Sequence, residues 1–260
     1  MKTFRLIGMA LLAIVMCANF TACSSDDDEI TKDDDGVITN EKKLVEIKEA
    51  YEDGTNVMTL SYDSKGKLIS IVEKDSYSSE SDIINITWGE NTVRESSKGE
   101  SITYSLNDGL VRSGSESDGR DYSFAYNSSK QLTTYQYSDK YDSNTRTLTW
   151  ENGKVTKITY NKDISEIAYS NQTCKGYFPL MVLMVEDDFK VILAHPELIG
   201  MRYTHLPNQI TYKDGYEEYK EEYTYKLNKD GYVESCTIKE TKTRNGNTDT
   251  YTTTYTFKWE

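Results

Sequence analysis

The sequence contains two histidines, the residue type that most often serves as a general base or a zinc ligand. His195 and His205 could form a metal site with a carboxylate such as Glu197 or Asp187. Their spacing matches no metal-binding motif, and the chain has neither a nucleophile elbow nor a phosphate-binding glycine loop. Acidic residues are plentiful, at 43, so counting alone leaves a two-carboxylate glycosidase open. Since no catalytic set converges, we expect no metal, no cofactor and no enzymatic activity.

Tyrosine is unusually frequent, with 21 residues, and flat aromatic rings stack on sugars and anchor protein interfaces. Most of these tyrosines alternate with polar residues and are expected to face a core. Tyr77, Tyr141 and Tyr216 instead have polar neighbours on both sides. We predict these three as ligand-binding residues, for a polysaccharide or a protein partner. The formal net charge of −13 argues against a nucleic acid partner, because an acidic surface repels phosphates.

The N-terminus has the composition of a secretory signal at residues 1–22. Lys2 and Arg5 precede the apolar run Leu6–Met16, which is too short to span a bilayer. Residues 20–23 (Phe-Thr-Ala-Cys) resemble the lipobox of bacterial lipoproteins, although Phe replaces the usual Leu. The resemblance implies acylation of Cys23, with palmitate among the chains, and stable membrane anchoring. An ordinary signal cut at the same place is the alternative.

An acidic stretch follows the lipobox. Ser25–Glu29 resembles the signal that directs some Gram-negative lipoproteins to the outer leaflet of the outer membrane. A second run, Asp33–Gly36, lacks the alternating ligands and distal Glu of a calcium loop. We expect residues 23–40 to form a flexible, solvated tether. The protein would then be lipid-anchored in the outer membrane and would face the cell exterior.

From residue 41 to residue 260 the chain alternates with a period of two and is predicted to form a single domain. Tyr122, Phe124 and Tyr126 interleave with small residues, and Tyr255 and Phe257 interleave with threonine. Such alternation is typical of antiparallel strands with one buried face. The pattern predicts an all-β meander of about fifteen strands, each about seven to nine residues long.

Short polar turns separate these strands in a recurring pattern. An aromatic residue ends one strand, a turn that often contains Asn-Gly or Asp-Gly follows, and an apolar residue begins the next strand. The instances are Tyr62–Leu68, Trp88–Val93, Tyr104–Leu110, Tyr126–Leu132, Trp150–Val155 and Tyr225–Tyr232. The first instance, Tyr-Asp-Ser-Lys-Gly-Lys-Leu, is similar to the turn of tyrosine-aspartate repeat proteins.

The pattern as a whole resembles a family of bacterial surface lipoproteins of unassigned function with a porin-like fold. The resemblance rests on the lipobox, the tether, the aromatic hairpins and the Leu206–Ile210 segment that follows an apolar region. It implies a closed or strongly curved antiparallel sheet, and it supplies no catalytic residues.

Only Phe178–Met201 interrupts the alternation. Pro179 suits a first helical position, and the residues that follow are apolar on nearly all sides. Because the residue before a proline avoids the helical region, His195-Pro196 should end the helix. We therefore predict one buried apolar helix near residues 179–195, which plugs the sheet, with a ligand-gated lid as the alternative.

Two cysteines remain once Cys17 leaves with the signal and Cys23 carries lipid. Cys174 and Cys236 could form a disulfide outside the cytoplasm or stay as two buried thiols, and the sequence leaves both open.

The alternation does not reveal whether the apolar face meets a protein core or lipid. The predicted strands are shorter than the roughly 9–11 residues that span a bilayer, and charges such as Glu73-Lys74-Asp75 interrupt them. We therefore expect aromatic rings to point into a core while threonine-rich faces meet water. The leading hypothesis is a lipid-anchored, non-catalytic binding or scaffolding module at the cell surface. The alternatives are a carrier or pore-like shell for an apolar ligand and, third, a glycoside hydrolase.

Overall fold

The computed structural model describes residues 41–161, 163–183, 189–215 and 217–260. Within these ranges the chain forms sixteen antiparallel strands that close into one barrel, in which β16 pairs with β1. Each strand pairs with its neighbours in sequence, so the barrel is a single meander. The strands are β1 Leu44–Tyr51, β2 Gly54–Tyr62, β3 Leu68–Asp75, β4 Asp82–Trp88, β5 Thr92–Ser97, β6 Glu100–Asn107, β7 Leu110–Glu116, β8 Asp121–Tyr126, β9 Leu132–Ser138, β10 Ser143–Glu151, β11 Lys154–Tyr160, β12 Asp163–Thr173, β13 His205–Asp214, β14 Glu217–Leu227, β15 Val233–Arg244 and β16 Asn247–Trp259.

The all-β fold predicted from the alternation is confirmed, with sixteen strands in place of about fifteen. The predicted signal and tether lie outside the described residues.

The helical plug predicted near residues 179–195 is described as shorter helical pieces. The segment between β12 and β13 contains a five-residue helix α1, Pro179–Leu183, and two 3₁₀ turns, Lys190–Leu193 and Pro196–Ile199. The N–H groups of Lys190 and Val191 donate to the carboxylate of Glu95 on β5, which ties the start of the first 3₁₀ turn to the barrel wall. Pro196 begins the second 3₁₀ turn, a position where its missing N–H costs nothing.

The described part of this segment fills one end of the barrel, as predicted, and we call residues 174–183 and 189–204 the plug. Phe178, Met181, Phe189, Ile192 and Leu193 are all fully buried within it. The turns that follow β2, β4, β6, β8, β10 and β14 lie at the same end, which we call the plugged end, and β1 begins there. The turns that follow the odd-numbered strands form the opposite, distal end.

Aromatic rings point into the barrel, as the alternation predicts. Tyr104, Tyr122, Phe124 and Tyr135 are buried, and the residues between them on each strand are mostly exposed or half-buried. The outward positions are largely Thr, Ser, Lys and Glu, so the outer wall of the described barrel is polar. The large apolar side chains exposed among the described residues are Ile69, Tyr77, Ile83, Tyr141, Ile164 and Tyr251.

The aromatic residues that end the even-numbered strands have a shared structural role. In seven described hairpins a ring O–H or N–H near the end of the even-numbered strand donates to a backbone carbonyl near the start of the strand before it, over 2.5–3.0 Å. These bonds form a ring of hydrogen bonds, the aromatic girdle, around the plugged end. They join Tyr62 to Leu44, Trp88 to Leu68, Tyr126 to Val111, Trp150 to Leu132, Tyr169 to Val155, Tyr225 to Pro207 and Trp259 to Val233.

β-Bulges set the direction in which several of these girdle rings point. The strand register shifts immediately before Tyr62, Tyr126, Trp150 and Tyr169, and a bulge bends the strand and redirects the next side chain. The recurring aromatic residues of the sequence are therefore hydrogen-bond donors that close the hairpin ends, in addition to their part in the core.

The hairpin of β6 and β7 departs from the pattern. The sequence predicts Tyr104 as its terminal aromatic residue, but Leu106 takes that position opposite Val111. Tyr104 lies deeper and stacks on Phe189 of the plug, with ring centroids 3.8 Å apart. Gly114, on the neighbouring strand, makes room for it, because a Cβ there would come within 2.6 Å of the Tyr104 ring.

Three turns at the plugged end share one geometry. The side-chain oxygens of Asp63, Asn127 and Asn228 each accept the backbone N–H groups two and four residues later. The fourth residue of each turn has a positive φ, at Gly66, Lys130 and Gly231. Three of the six instances of the repeat seen in the sequence are therefore Asx turns.

Candidate binding surface at the distal end

Two of the three tyrosines predicted as ligand-binding residues, Tyr77 and Tyr141, belong to distal connections. Tyr77 follows β3 and Tyr141 follows β9, and their exposed fractions are 60% and 82%. Tyr216 lies outside the described residues, between β13 and β14. Tyr251, near the distal end of β16, is 49% exposed and was missed because it lies in an alternating run that predicted burial.

Tyr77 and Tyr141 differ in how they are held. The hydroxyl of Tyr77 donates to the carbonyl of Asp53, and its ring lies against Gly54 in the neighbouring turn. The backbone N–H of Tyr141 donates to Asp139, and the Lys140 ammonium lies 4.5 Å from its ring centroid. Tyr77 is therefore a fixed, partly covered ring, whereas Tyr141 presents most of its surface to solvent.

A groove of about 870 Å³ crosses strands β12 to β15 in their distal halves. Its lining includes two cross-strand rows of polar side chains, which follow from the strand register. The rows are Glu166, Thr211, Lys220 and Thr241, and then Lys213, Glu218 and Thr243. Alternating hydroxyl, ammonium and carboxylate groups suit the hydroxyl groups of a glycan or a polar peptide.

A stack of aromatic rings lies on the inward face of the strands that carry this groove. Tyr212 and Tyr219 are parallel, with centroids 4.4 Å apart, and the Lys242 ammonium lies 5.1 Å from the Tyr219 ring. Glu217 holds the Lys242 ammonium at 2.6 Å, and this bond keeps the pKa of Glu217 below its ordinary value. The stack is a rigid platform, because its members fix one another. Sequence reasoning missed it, since cross-strand pairing cannot be read from one strand.

The distal half of the barrel interior carries buried carboxyl groups. Burial raises the pKa of each of six carboxyl groups above the ordinary value for glutamate. These are Glu49, Glu73, Glu95, Glu116, Glu221 and Glu240. The pKa of Glu95 rises to about 7 and that of Glu221 to about 8. Glu49 accepts 2.7 Å bonds from Asn56 and Tyr255. Glu221 is 1% exposed, and its carboxylate accepts a hydrogen bond from the hydroxyl of Tyr223.

The histidines belong to the plugged end and are not brought together with a metal-binding set. Nε2 of His195 accepts the N–H of Leu68 at 3.2 Å, which leaves Nδ1 to donate to Glu197 at 3.0 Å. Burial, helped by Lys154, lowers the pKa of His205. No group of three His, Cys, Asp or Glu residues suited to a metal ion occurs among the residues the structure describes. Asp187 lies outside them.

Cys174 and Cys236 are both buried and free, so the disulfide that the sequence left open is not formed in the structure. Burial raises the pKa of Cys174 to about 12 and raises that of Cys236 well above its ordinary value. Both thiols are therefore protonated and unreactive at neutral pH.

The fold resembles two solved structures described as porin-like proteins. One, from Bacteroides uniformis, has a TM-score of 0.73 and 21% identity, and the match covers 84% of this chain and 96% of that one. The other, from Bacteroides vulgatus, has a TM-score of 0.58 and 13% identity, over 85% and 99% of the two chains. At these identities the likeness establishes the fold alone, and it agrees with the porin-like fold that the sequence resemblance implies.

No family model and no curated protein matches the sequence. Within the part of the chain that the structure describes, no helix is both long and apolar enough to cross a bilayer.

Proposed function

We propose that this protein is a lipid-anchored, non-catalytic binding module of the outer membrane, facing the cell exterior, whose distal end takes up a polysaccharide or a partner protein. The observation that supports this most is that the two ends of the barrel differ and that the chain enters at the plugged end. The predicted tether joins β1 at the plugged end, so the distal turns lie on the side away from the anchor.

The distal end has the features of a binding surface. It presents the open ring of Tyr141 and the polar groove across β12 to β15. Aromatic faces with polar groups around them are the usual contacts for sugars and for protein anchors. The plug and the girdle fill and cross-link the plugged end, so the strands that carry the distal surface are rigid.

Binding at the distal end is tested by comparing ligand capture between two double variants, each of which removes one exposed apolar side chain and one lysine. On an array of surface glycans, and in pull-downs from envelope extracts, we expect Tyr141→Ala combined with Lys220→Ala to abolish capture. The control, Ile69→Ala with Lys48→Ala, removes exposed side chains on β3 and β1, away from the groove, and should leave capture intact. Equal capture by both variants, or none by the wild-type protein, would overturn the proposal.

Anchoring is tested separately at Cys23. In cells fed a clickable palmitate analogue, the wild-type protein should be labelled and should sediment with the outer membrane. A Cys23→Ala variant should lose both properties, whereas a Cys17→Ala variant should keep them. Unlabelled wild-type protein would rule out lipid attachment and leave the binding proposal standing.

A further inference from the structure

Six exposed lysines cluster where the chain enters the barrel, at the plugged end. We call them the lysine face, and they are Lys42, Lys43, Lys65, Lys67, Lys175 and Lys229. They come from the start of β1, the turn after β2, the plug and the turn after β14. The fold brings these four segments together, and the sequence alone does not group them.

Contacts in the structure place the lysines beside one another. Lys42 forms an ion pair with Asp230 at 3.1 Å. This contact, together with the nearby charges of Lys229 and Lys175, keeps the pKa of Asp230 below its ordinary value. Three lysines therefore surround one carboxylate.

The other three lysines adjoin the first group through the turn after β2. A Cβ at Gly66 would lie 3.2 Å from Nζ of Lys43, so this amine touches the turn that carries Lys65 and Lys67. The ammonium groups of Lys43 and Lys67 lie over the girdle rings of Tyr62 and Trp88, at 5.4 and 5.1 Å. Cation–π contacts leave the positive charge in place.

The nearby acids do not cancel this charge. Asp230 and Asp63 lie within the face, and the Asp63 carboxylate is engaged by two backbone N–H groups of its own turn. Glu260 and Glu41 at its border pair with other cations, Lys258 and Arg202. A local excess of positive charge thus stands out on a chain whose net charge is −13.

We propose that the lysine face binds the anionic lipid headgroups of the membrane to which the chain is tethered. Clusters of four to eight basic residues are attracted to anionic lipid surfaces by about 1 kcal/mol per residue. The predicted tether, residues 23–40, ends beside Lys42, so anchoring brings this face toward the bilayer. The contact orients the barrel with its distal end outward. The role of the tether rests on the proposed function, whereas the cluster of lysines is observed independently of it.

The test uses the chain from residue 23 onward with Cys23→Ser, which cannot be acylated. It is sedimented with vesicles of phosphatidylcholine containing 30 mol% phosphatidylglycerol and, separately, with pure phosphatidylcholine. We expect binding only to the anionic vesicles and its loss in 0.5 M salt, where charges are screened. Lys65→Gln with Lys229→Gln should weaken the partition coefficient by about 30-fold. Neither side chain has a described salt bridge or ring contact, so folding should be unaffected.

The matched control is Lys74→Gln with Lys140→Gln, which removes the same charge from the distal half. It should bind anionic vesicles like the parent chain. Equal weakening by both pairs, or no binding of the parent to anionic vesicles, would overturn the inference. Binding to a soluble sulfated polysaccharide without binding to vesicles would overturn it as well. Because acylation is absent throughout, none of these outcomes bears on Cys23.

Discussion

The two ends of the barrel are built from the same hairpins but are stabilised by different chemistry. At the plugged end, rings donate hydrogen bonds to carbonyls, and the buried plug fills the interior. At the distal end, inward positions carry carboxyl groups whose pKa values are raised by burial, and the turns present exposed rings. One end of the barrel therefore supplies rigidity, and the other supplies exposed side chains.

The distal carboxyl groups make the stability of the protein depend on pH. Glu95 and Glu221 hold protons more tightly in the folded protein than in the unfolded chain, with pKa values of about 7 and about 8 against an ordinary 4.5. The folded state is therefore stabilised at acidic pH, and this stabilisation is lost as the pH rises through those values. We expect the free energy of unfolding to fall by several kcal/mol between pH 5 and pH 9, at up to about 1.4 kcal/mol per pH unit for each group.

Urea unfolding at a series of pH values measures this dependence. Glu221→Gln should flatten the curve between pH 6 and pH 9, whereas Glu166→Gln, at an exposed outward position, should leave it unchanged. A stability that rises from pH 5 to pH 9 would contradict the assignment.

Packing at the plugged end should be the most sensitive to truncation. Phe189 is fully buried and stacks on Tyr104 at 3.8 Å, so Phe189→Ala leaves a cavity between the plug and the wall. We expect a loss of about 3–5 kcal/mol in the free energy of unfolding in urea. Tyr141→Ala at the distal end should change it by less than about 0.5 kcal/mol. A loss below about 1 kcal/mol for Phe189→Ala would mean that the plug is not packed as described.

The girdle predicts a smaller and more specific effect. Tyr126→Phe removes only the hydroxyl that donates to the carbonyl of Val111 at 2.6 Å. An acceptor left without its partner at a half-buried site costs about 1–2 kcal/mol. Tyr141→Phe, which removes an exposed hydroxyl, should have no measurable effect on the urea midpoint. Equal midpoints for the two variants would show that the girdle bonds do not stabilise the plugged end.

The smallest expected change in stability concerns the three Asx turns. Lys130 occupies the positive-φ position, at 61°, that glycine fills in the turns of Gly66 and Gly231. Because a side chain strains this conformation, Lys130→Gly should raise the melting temperature, by the equivalent of about 0.5–1 kcal/mol. Lys130→Gln controls for the loss of charge and should not raise it. A destabilised Lys130→Gly variant would contradict the strain assigned to the positive φ of Lys130.

The sequence predicts the barrel well because the relevant signals are local. Alternation marks each strand, and turn residues such as Asp63 and Gly66 mark each connection. The plug was harder to predict. Its apolar residues satisfy a helical period, but the Glu95 carboxylate on a distant strand captures the backbone N–H groups of Lys190 and Val191. A contact 95 residues away in sequence cannot be read from the segment itself.

The candidate site was only partly foreseen, for the same reason. Tyr77 and Tyr141 were identified because their neighbours are polar, and exposure follows from that local pattern. The platform of Tyr212 and Tyr219 depends on the register of two strands, and Tyr251 on the length of the last hairpin. The sequence also could not decide whether Cys174 and Cys236 form a disulfide. Both thiols are buried, and in the structure they are free.

The proposed function requires one orientation of the barrel, with the plugged end toward the membrane and the distal end away from it. Single cysteines introduced by Tyr141→Cys and Lys65→Cys, each in the acylated protein on intact cells, can be labelled with a membrane-impermeant maleimide. The native Cys174 and Cys236 are too buried to interfere. We predict that Tyr141→Cys reacts as fast on cells as in detergent, and that Lys65→Cys reacts at least several-fold more slowly on cells. Equal rates at the two positions on cells, or a protected Tyr141→Cys, would contradict the account.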